Sequence, residues 1–171
     1  MVILLVAVPA TRQSSDTLVQ PVFLVVMAVV APVAVLMFRQ VRGGRWSNVD
    51  ASKPSERPVL FAVALAGLVA ALGWLLLNDP RSFLVRGMLV VGTFLLFAAL
   101  LTRWVKLSLH VAFAALTATT LSLLGSAVGY ALFALIPVVF WSRVTLERHR
   151  FHELLVGLLL GVVTGMVLVW L

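Results

Sequence analysis

Five stretches of this chain carry no charged residue, at positions 17–38, 58–78, 87–102, 111–141 and 154–171. A helix needs about 20 apolar residues to cross the hydrocarbon of a bilayer. Positions 17–38 and 58–78 therefore suit one crossing each. The run 87–102 is short, but Arg86 can reach back to the interface along its apolar stem, which extends that helix to Ser82. The run 111–141 is too long for one crossing, and glycines at 125 and 129 mark where it folds back. Hydrophobic residues make up 63% of the chain. Soluble domains hold about 45–50% apolar residues, so a water-soluble globule is excluded. The expected fold is all-α: a single integral-membrane domain over 1–171 with about six transmembrane helices, near 18–38, 58–77, 82–102, 108–124, 127–141 and 150–170. Residues 1–11 are apolar but short and lack a basic leader, and read as an interfacial or packed segment.

The connections between these helices fall into two kinds. Asn78-Asp79-Pro80-Arg81-Ser82 and Gly125-Ser126 are tight turns with little charge. The other three, 39–57, 103–107 and 142–149, hold most of the cations. A helical hairpin separates each from the next, so all three emerge on one side. That side collects ten of the thirteen Lys and Arg residues: Arg39, Arg42, Arg45, Lys53, Arg57, Arg103, Lys106, Arg143, Arg148 and Arg150. The positive-inside rule makes it cytoplasmic, in a multi-pass protein of the cell membrane. The net charge of +7 thus reflects topology, and no nucleic-acid partner is expected. Trp46, Trp104 and Trp141 read as indole anchors at the same interface. The chain has no cysteine, which excludes disulfides and thiolate metal sites. No histidine–carboxylate cluster has obvious ligand spacing, so neither a metal nor a cofactor is expected.

All three histidines, His110, His149 and His152, sit at helix mouths on the charged side. His149 and Glu153 are four residues apart at a helix start, on one face. A carboxylate there accepts a hydrogen bond from one imidazole nitrogen, fixes the tautomer and leaves the other nitrogen able to attack. Arg143 offers a planar fork for phosphate oxygens. In Lys106-Leu-Ser108-Leu-His110, Ser108 suits an N-cap and the first N–H groups of the helix favour an anion. His110, near the same depth, is suited to protonate a leaving oxygen. Arg57-Pro58 opens another helix, with proline in its first turn. His152 reads as an interfacial polar residue, and Arg148 and Arg150 as topology determinants or headgroup contacts. Gly157, Gly161 and Gly165 continue the four-residue spacing of His149 and Glu153, and Gly125 and Gly129 form a second pair. Small residues at this spacing allow close helix packing in lipid; such faces would also suit a second copy in a homo-oligomer.

These motifs resemble the type 2 phosphatidic acid phosphatase superfamily, whose pattern runs Lys-x6-Arg-Pro, Pro-Ser-Gly-His, Ser-Arg-x5-His-x3-Asp. The third motif here is Ser142-Arg143-x5-His149-x3-Glu153, with Glu for Asp. The second is Leu107-Ser108-Leu109-His110, which keeps Ser and His. The first keeps Arg57-Pro58, with Asp50 at the lysine position and Lys53 nearby. The resemblance covers about residues 50–155. It implies that fold and a metal-independent lipid phosphate phosphatase. His149 would be the nucleophile that becomes phosphohistidine, with Glu153 orienting it and His110 as general acid. Arg57, Ser108 and Arg143 would bind phosphate, with Lys53 in place of the motif lysine. Substrates would be phosphatidic acid, phosphatidylglycerol phosphate or a polyprenyl phosphate or diphosphate. A catalytically inactive binding or scaffold protein of the same fold, and a lipid phosphotransferase, remain as alternatives.

Overall fold

The computed structural model describes residues 23, 26–46, 54–80 and 83–170. Six α-helices appear among them: α1 (Ala31–Arg42), α2 (Arg57–Asn78), α3 (Phe83–Leu101), α4 (Leu109–Leu123), α5 (Ala127–Thr145) and α6 (Phe151–Trp170). The N-terminal segment 1–11, Lys53 and Asp50 lie outside the described residues, as do Arg81 and Ser82 in the first tight turn. Among the described residues, four helices are long and apolar enough to cross a membrane: α2, α3 from Leu84, α5 and α6. They mark the chain as a membrane protein.

The order of elements matches the sequence expectation, but two helices differ in extent. The first was expected over 18–38; the described part runs as a π-helical turn, Val26–Val30, followed by α1 to Arg42. Pro32 lies in the first turn of α1 and has no N–H to return to the Ala28 carbonyl. Gly67 of α2 packs against that carbonyl, where a Cβ would collide with it. The fifth helix was expected to stop at 141 and continues to Thr145, so Ser142 and Arg143 form part of its last turn.

Helix α4 is the centre of the bundle. Nine of its 15 residues are buried, including Ala112, Ala115, Leu116, Ala118 and Leu121. At about 1.5 Å per residue it falls short of a bilayer's hydrocarbon of about 30 Å. Its neighbours α5 and α6 cover it, so it has no need to match the lipid thickness. Its small side chains let α6 approach closely. A Cβ on Gly157 would meet the Ser108 carbonyl at 2.7 Å, and one on Gly165 the Leu116 carbonyl at 2.9 Å. One on Gly161 would meet the carbonyl of Ala112. The glycine ridge is therefore packed against α4 within the chain. Threonines 117 and 120 return their hydroxyls to the carbonyls of Phe113 and Leu116 at 2.8 and 2.9 Å, which satisfies them inside an apolar bundle. Beyond α4, Phe61 and Leu68 of α2 and Val91, Phe94 and Leu95 of α3 complete the core.

Three helices end in the same way. After α1, α4 and α5 a residue turns left-handed: Gly44 (φ 69°), Gly125 (φ 76°) and Glu147 (φ 52°). Each of these residues and its successor returns its N–H to the preceding helix, as Gly125 to Ser122 at 2.9 Å and Ser126 to Leu121 at 2.9 Å. This paired arrangement satisfies the last carbonyls of a helix. Glycine occupies the left-handed position twice; in the third case a glutamate takes it.

Candidate functional site

The exceptional turn at Glu147 builds the site. Glu147 donates its N–H to Val144 at 2.9 Å, and Arg148 to Arg143 at 3.1 Å. A left-handed L-residue costs roughly 1–2 kcal/mol relative to glycine. The turn carries the chain off the end of α5 and back over the segment before α4. There Lys106 Nζ donates to the Arg148 carbonyl at 2.8 Å. One residue later, His149 Nδ1 lies 3.0 Å from the Lys106 carbonyl and 2.9 Å from Glu153 Oε2. Both partners are acceptors, so Nδ1 carries the proton and Nε2 is the lone-pair nitrogen of the neutral ring. The His149 and Glu153 side chains are only 8% and 12% exposed.

Glu153 does two jobs. The same Oε2 that accepts from His149 also accepts the Arg150 N–H at 3.1 Å. That is one half of a capping box at the start of α6. The Glu153 carbonyl in turn accepts the Ser108 N–H at 3.3 Å, tying the α6 start to the α4 start. His149 has its pKa held below the ordinary imidazole value of 6.5. Burial is the main cause, with Arg57 and Lys106 acting in the same direction; the hydrogen bond and charge of Glu153 oppose them.

His149 lines a cavity of about 280 Å³ together with Arg57, His110 and Arg148 on its polar side. Met37, Leu60, Leu109 and Phe113 form its apolar side. Residues from α1, α2, α4 and the loop before α6 thus meet at one end of the bundle. Arg57 is 3% exposed and Nη1 donates to the Leu107 carbonyl at 2.8 Å, fifty residues away in sequence. Arg57 opens α2 with Pro58 in its first turn, as the sequence implied. Ser108 occupies the N-cap position of α4 with extended backbone, but its hydroxyl makes no capping bond. The hydroxyl is fully buried and has no hydrogen-bond partner in the protein, so the N-cap expectation holds for its backbone alone. Its N–H is committed to Glu153 and its carbonyl receives Ala112, which pins the backbone regardless of the side chain.

Two placements differ from the sequence reading. Arg143 lies in the last turn of α5 and is not among the residues lining the cavity; Arg148, read as a topology determinant or headgroup contact, is. The left-handed turn between them is the reason, and a glutamate at that position gives no sequence signal for it. Trp46, expected at the interface, is 7% exposed and buried, whereas Trp104 and Trp141 are exposed. His152 is exposed and does not line the cavity. Lys106 belonged to a motif string but had no role assigned; its reach to the Arg148 backbone depends on packing and leaves no mark in local spacing. No group of three or more His, Cys, Asp or Glu suited to a metal occurs among the described residues. Comparison with family models, with characterised proteins and with solved structures gives no match for this chain.

Proposed function

We propose that this protein is a membrane phosphatase that hydrolyses a lipid phosphate through a phosphohistidine. The observation that carries the reading is the fixed tautomer of His149, with Nδ1–H held by two acceptors, beside a cavity shared with Arg57 and His110. A buried imidazole kept neutral is a nucleophile ready to attack. In the first step Nε2 attacks phosphorus and the bond to the lipid oxygen breaks. His110 gives that oxygen its proton. In the second step a water attacks the phosphohistidine, His110 takes its proton, and the P–N bond breaks to release inorganic phosphate. Glu153 balances the positive charge that grows on the ring. The motif resemblance also gives Ser108 a phosphate-binding role, although its unpartnered hydroxyl is fully buried and Ser108 does not line the cavity. A lining that combines cations with apolar side chains suits an anionic headgroup attached to a tail.

In this reading the substrate is a phospholipid such as phosphatidic acid or phosphatidylglycerol phosphate, or a polyprenyl phosphate. The charged end faces the cytoplasm, as the lysine and arginine bias favours. The similarity to the type 2 phosphatidic acid phosphatases supports the same assignment of roles. Two observations favour the catalytically inactive alternative: Arg57 is tied to a backbone carbonyl, and Arg143 does not line the cavity. The deciding experiment is release of inorganic phosphate from a panel of lipid phosphates by the detergent-purified chain. Release lost in His149→Ala is expected. Release absent from the wild-type chain, or unchanged in the variant, would refute the reading.

A further inference from the structure

We propose that Arg148 binds the substrate phosphate beside the nucleophile; this rests on the phosphatase reading. Of the four cations Arg57, Lys106, Arg143 and Arg148, two line the cavity. Arg57 is buried and donates to the Leu107 carbonyl. Lys106 donates its ammonium to the Arg148 carbonyl and does not line the cavity. Arg143 also does not line it. Arg148 lines the cavity, half-buried, immediately before His149.

Its backbone is held at three points. Its N–H bonds to the Arg143 carbonyl at 3.1 Å, its carbonyl receives Lys106 at 2.8 Å, and Glu147 before it is fixed in the left-handed turn. The same Lys106 residue holds His149 through its own carbonyl at 3.0 Å. One latch thus fixes the spacing between the Arg148 backbone and the nucleophilic ring. A planar fork on such a support can grip two phosphate oxygens while leaving phosphorus open to His149. The backbone carbonyl, and not the side chain, receives Lys106, so replacing the guanidinium leaves the latch intact.

The test uses the full chain in detergent, with inorganic phosphate as the probe and binding followed by calorimetry. Turnover of an aryl phosphate is measured on the same samples. Arg148→Gln should weaken phosphate binding about 10- to 100-fold, the scale of a lost charge-assisted contact. KM should rise by a similar factor while kcat changes little, with the melting temperature recorded to separate lost folding from lost binding. Arg148→Lys keeps the charge but loses the fork, and should fall between the two. His149→Ala should abolish turnover and still bind phosphate. Wild-type phosphate affinity in both Arg148 variants would overturn this assignment and leave the phosphatase reading standing. If Arg148→Gln does not fold, Arg148→Lys decides alone: affinity equal to wild type overturns the fork. A wild-type chain that neither binds nor releases phosphate overturns both proposals.

Discussion

At the scale of single residues, the chemistry converges on one imidazole. Burial, Arg57 and Lys106 hold the His149 pKa below 6.5, against the pull of Glu153. The unfolded chain therefore binds more protons than the folded one as pH falls through this range. Stability from this group is fully present above about pH 6.5 and is lost as pH drops toward the lower folded pKa. Thermal melting in detergent between pH 8 and 5 should show that loss, and His149→Asn should flatten it. In the proposed phosphatase reading, the acid limb of turnover should likewise lie below the ordinary imidazole range, since protonation removes the lone pair that would attack; a limb above it would contradict the burial. Glu153→Gln keeps an acceptor for the Arg150 N–H but removes the charge that raises the His149 pKa. Turnover should fall by roughly 10²–10⁴-fold, by analogy with other orienting carboxylates. The acid limb should move to still lower pH while the protein stays monodisperse. Full activity in this variant would reduce Glu153 to a helix cap. The four-residue spacing of His149 and Glu153 made their pairing legible in the sequence, because a helical start places such residues side by side. The second acceptor, the carbonyl of Lys106, lies 43 residues away and had no local signature.

At the scale of elements, two features bear the strain and the packing. Glu147 takes a left-handed conformation that glycine takes after α1 and α4. Glu147→Gly should raise the melting temperature, since removing a Cβ from this conformation is worth roughly 1–2 kcal/mol, less the backbone entropy glycine adds to the unfolded chain. Activity should be retained if the turn keeps its shape, which a parallel turnover assay measures. The α4–α6 contact depends on glycine in the opposite way. A Cβ on Gly161 would collide with the Ala112 carbonyl and come within 2.8 Å of the Ala115 Cβ, so backbone must move. Gly161→Ala should destabilise strongly and weaken the site, because the start of α6 carries Glu153. Gly73 in α2 meets nothing within 4 Å. Gly73→Ala should be neutral or stabilising by up to about 1 kcal/mol through helix propensity. Equal melting temperatures for the two variants would show that α6 does not pack on α4 through this ridge. The spacing of glycines announced a close-packed face, but α4 as its partner emerged only from the folded chain.

At the scale of the whole molecule, the described charged connections meet at one end and the Gly125 turn lies at the other. If the charged end is cytoplasmic, single cysteines at positions 147 and 78 should label from opposite sides of intact cells. Position 147 should be protected from an impermeant reagent and position 78 should react; the reverse pattern would place the cavity outside. The all-helical fold, the order of helices, the turn at Gly125 and the face shared by His149 and Glu153 were all determined by sequence alone. Apolar run length and helical spacing encode neighbours within a few residues, and a bilayer admits few other solutions for such runs. Tertiary structure alone decided that Arg148 and not Arg143 borders the cavity, and that Arg57 bonds Leu107. It also turned Trp46 inward and covered the glycine ridge with α4. These outcomes depend on a left-handed turn at a glutamate and on contacts between residues about 40 to 50 positions apart. Neither has a local pattern, because backbone dihedrals at such a turn and the approach of distant helices are set by packing.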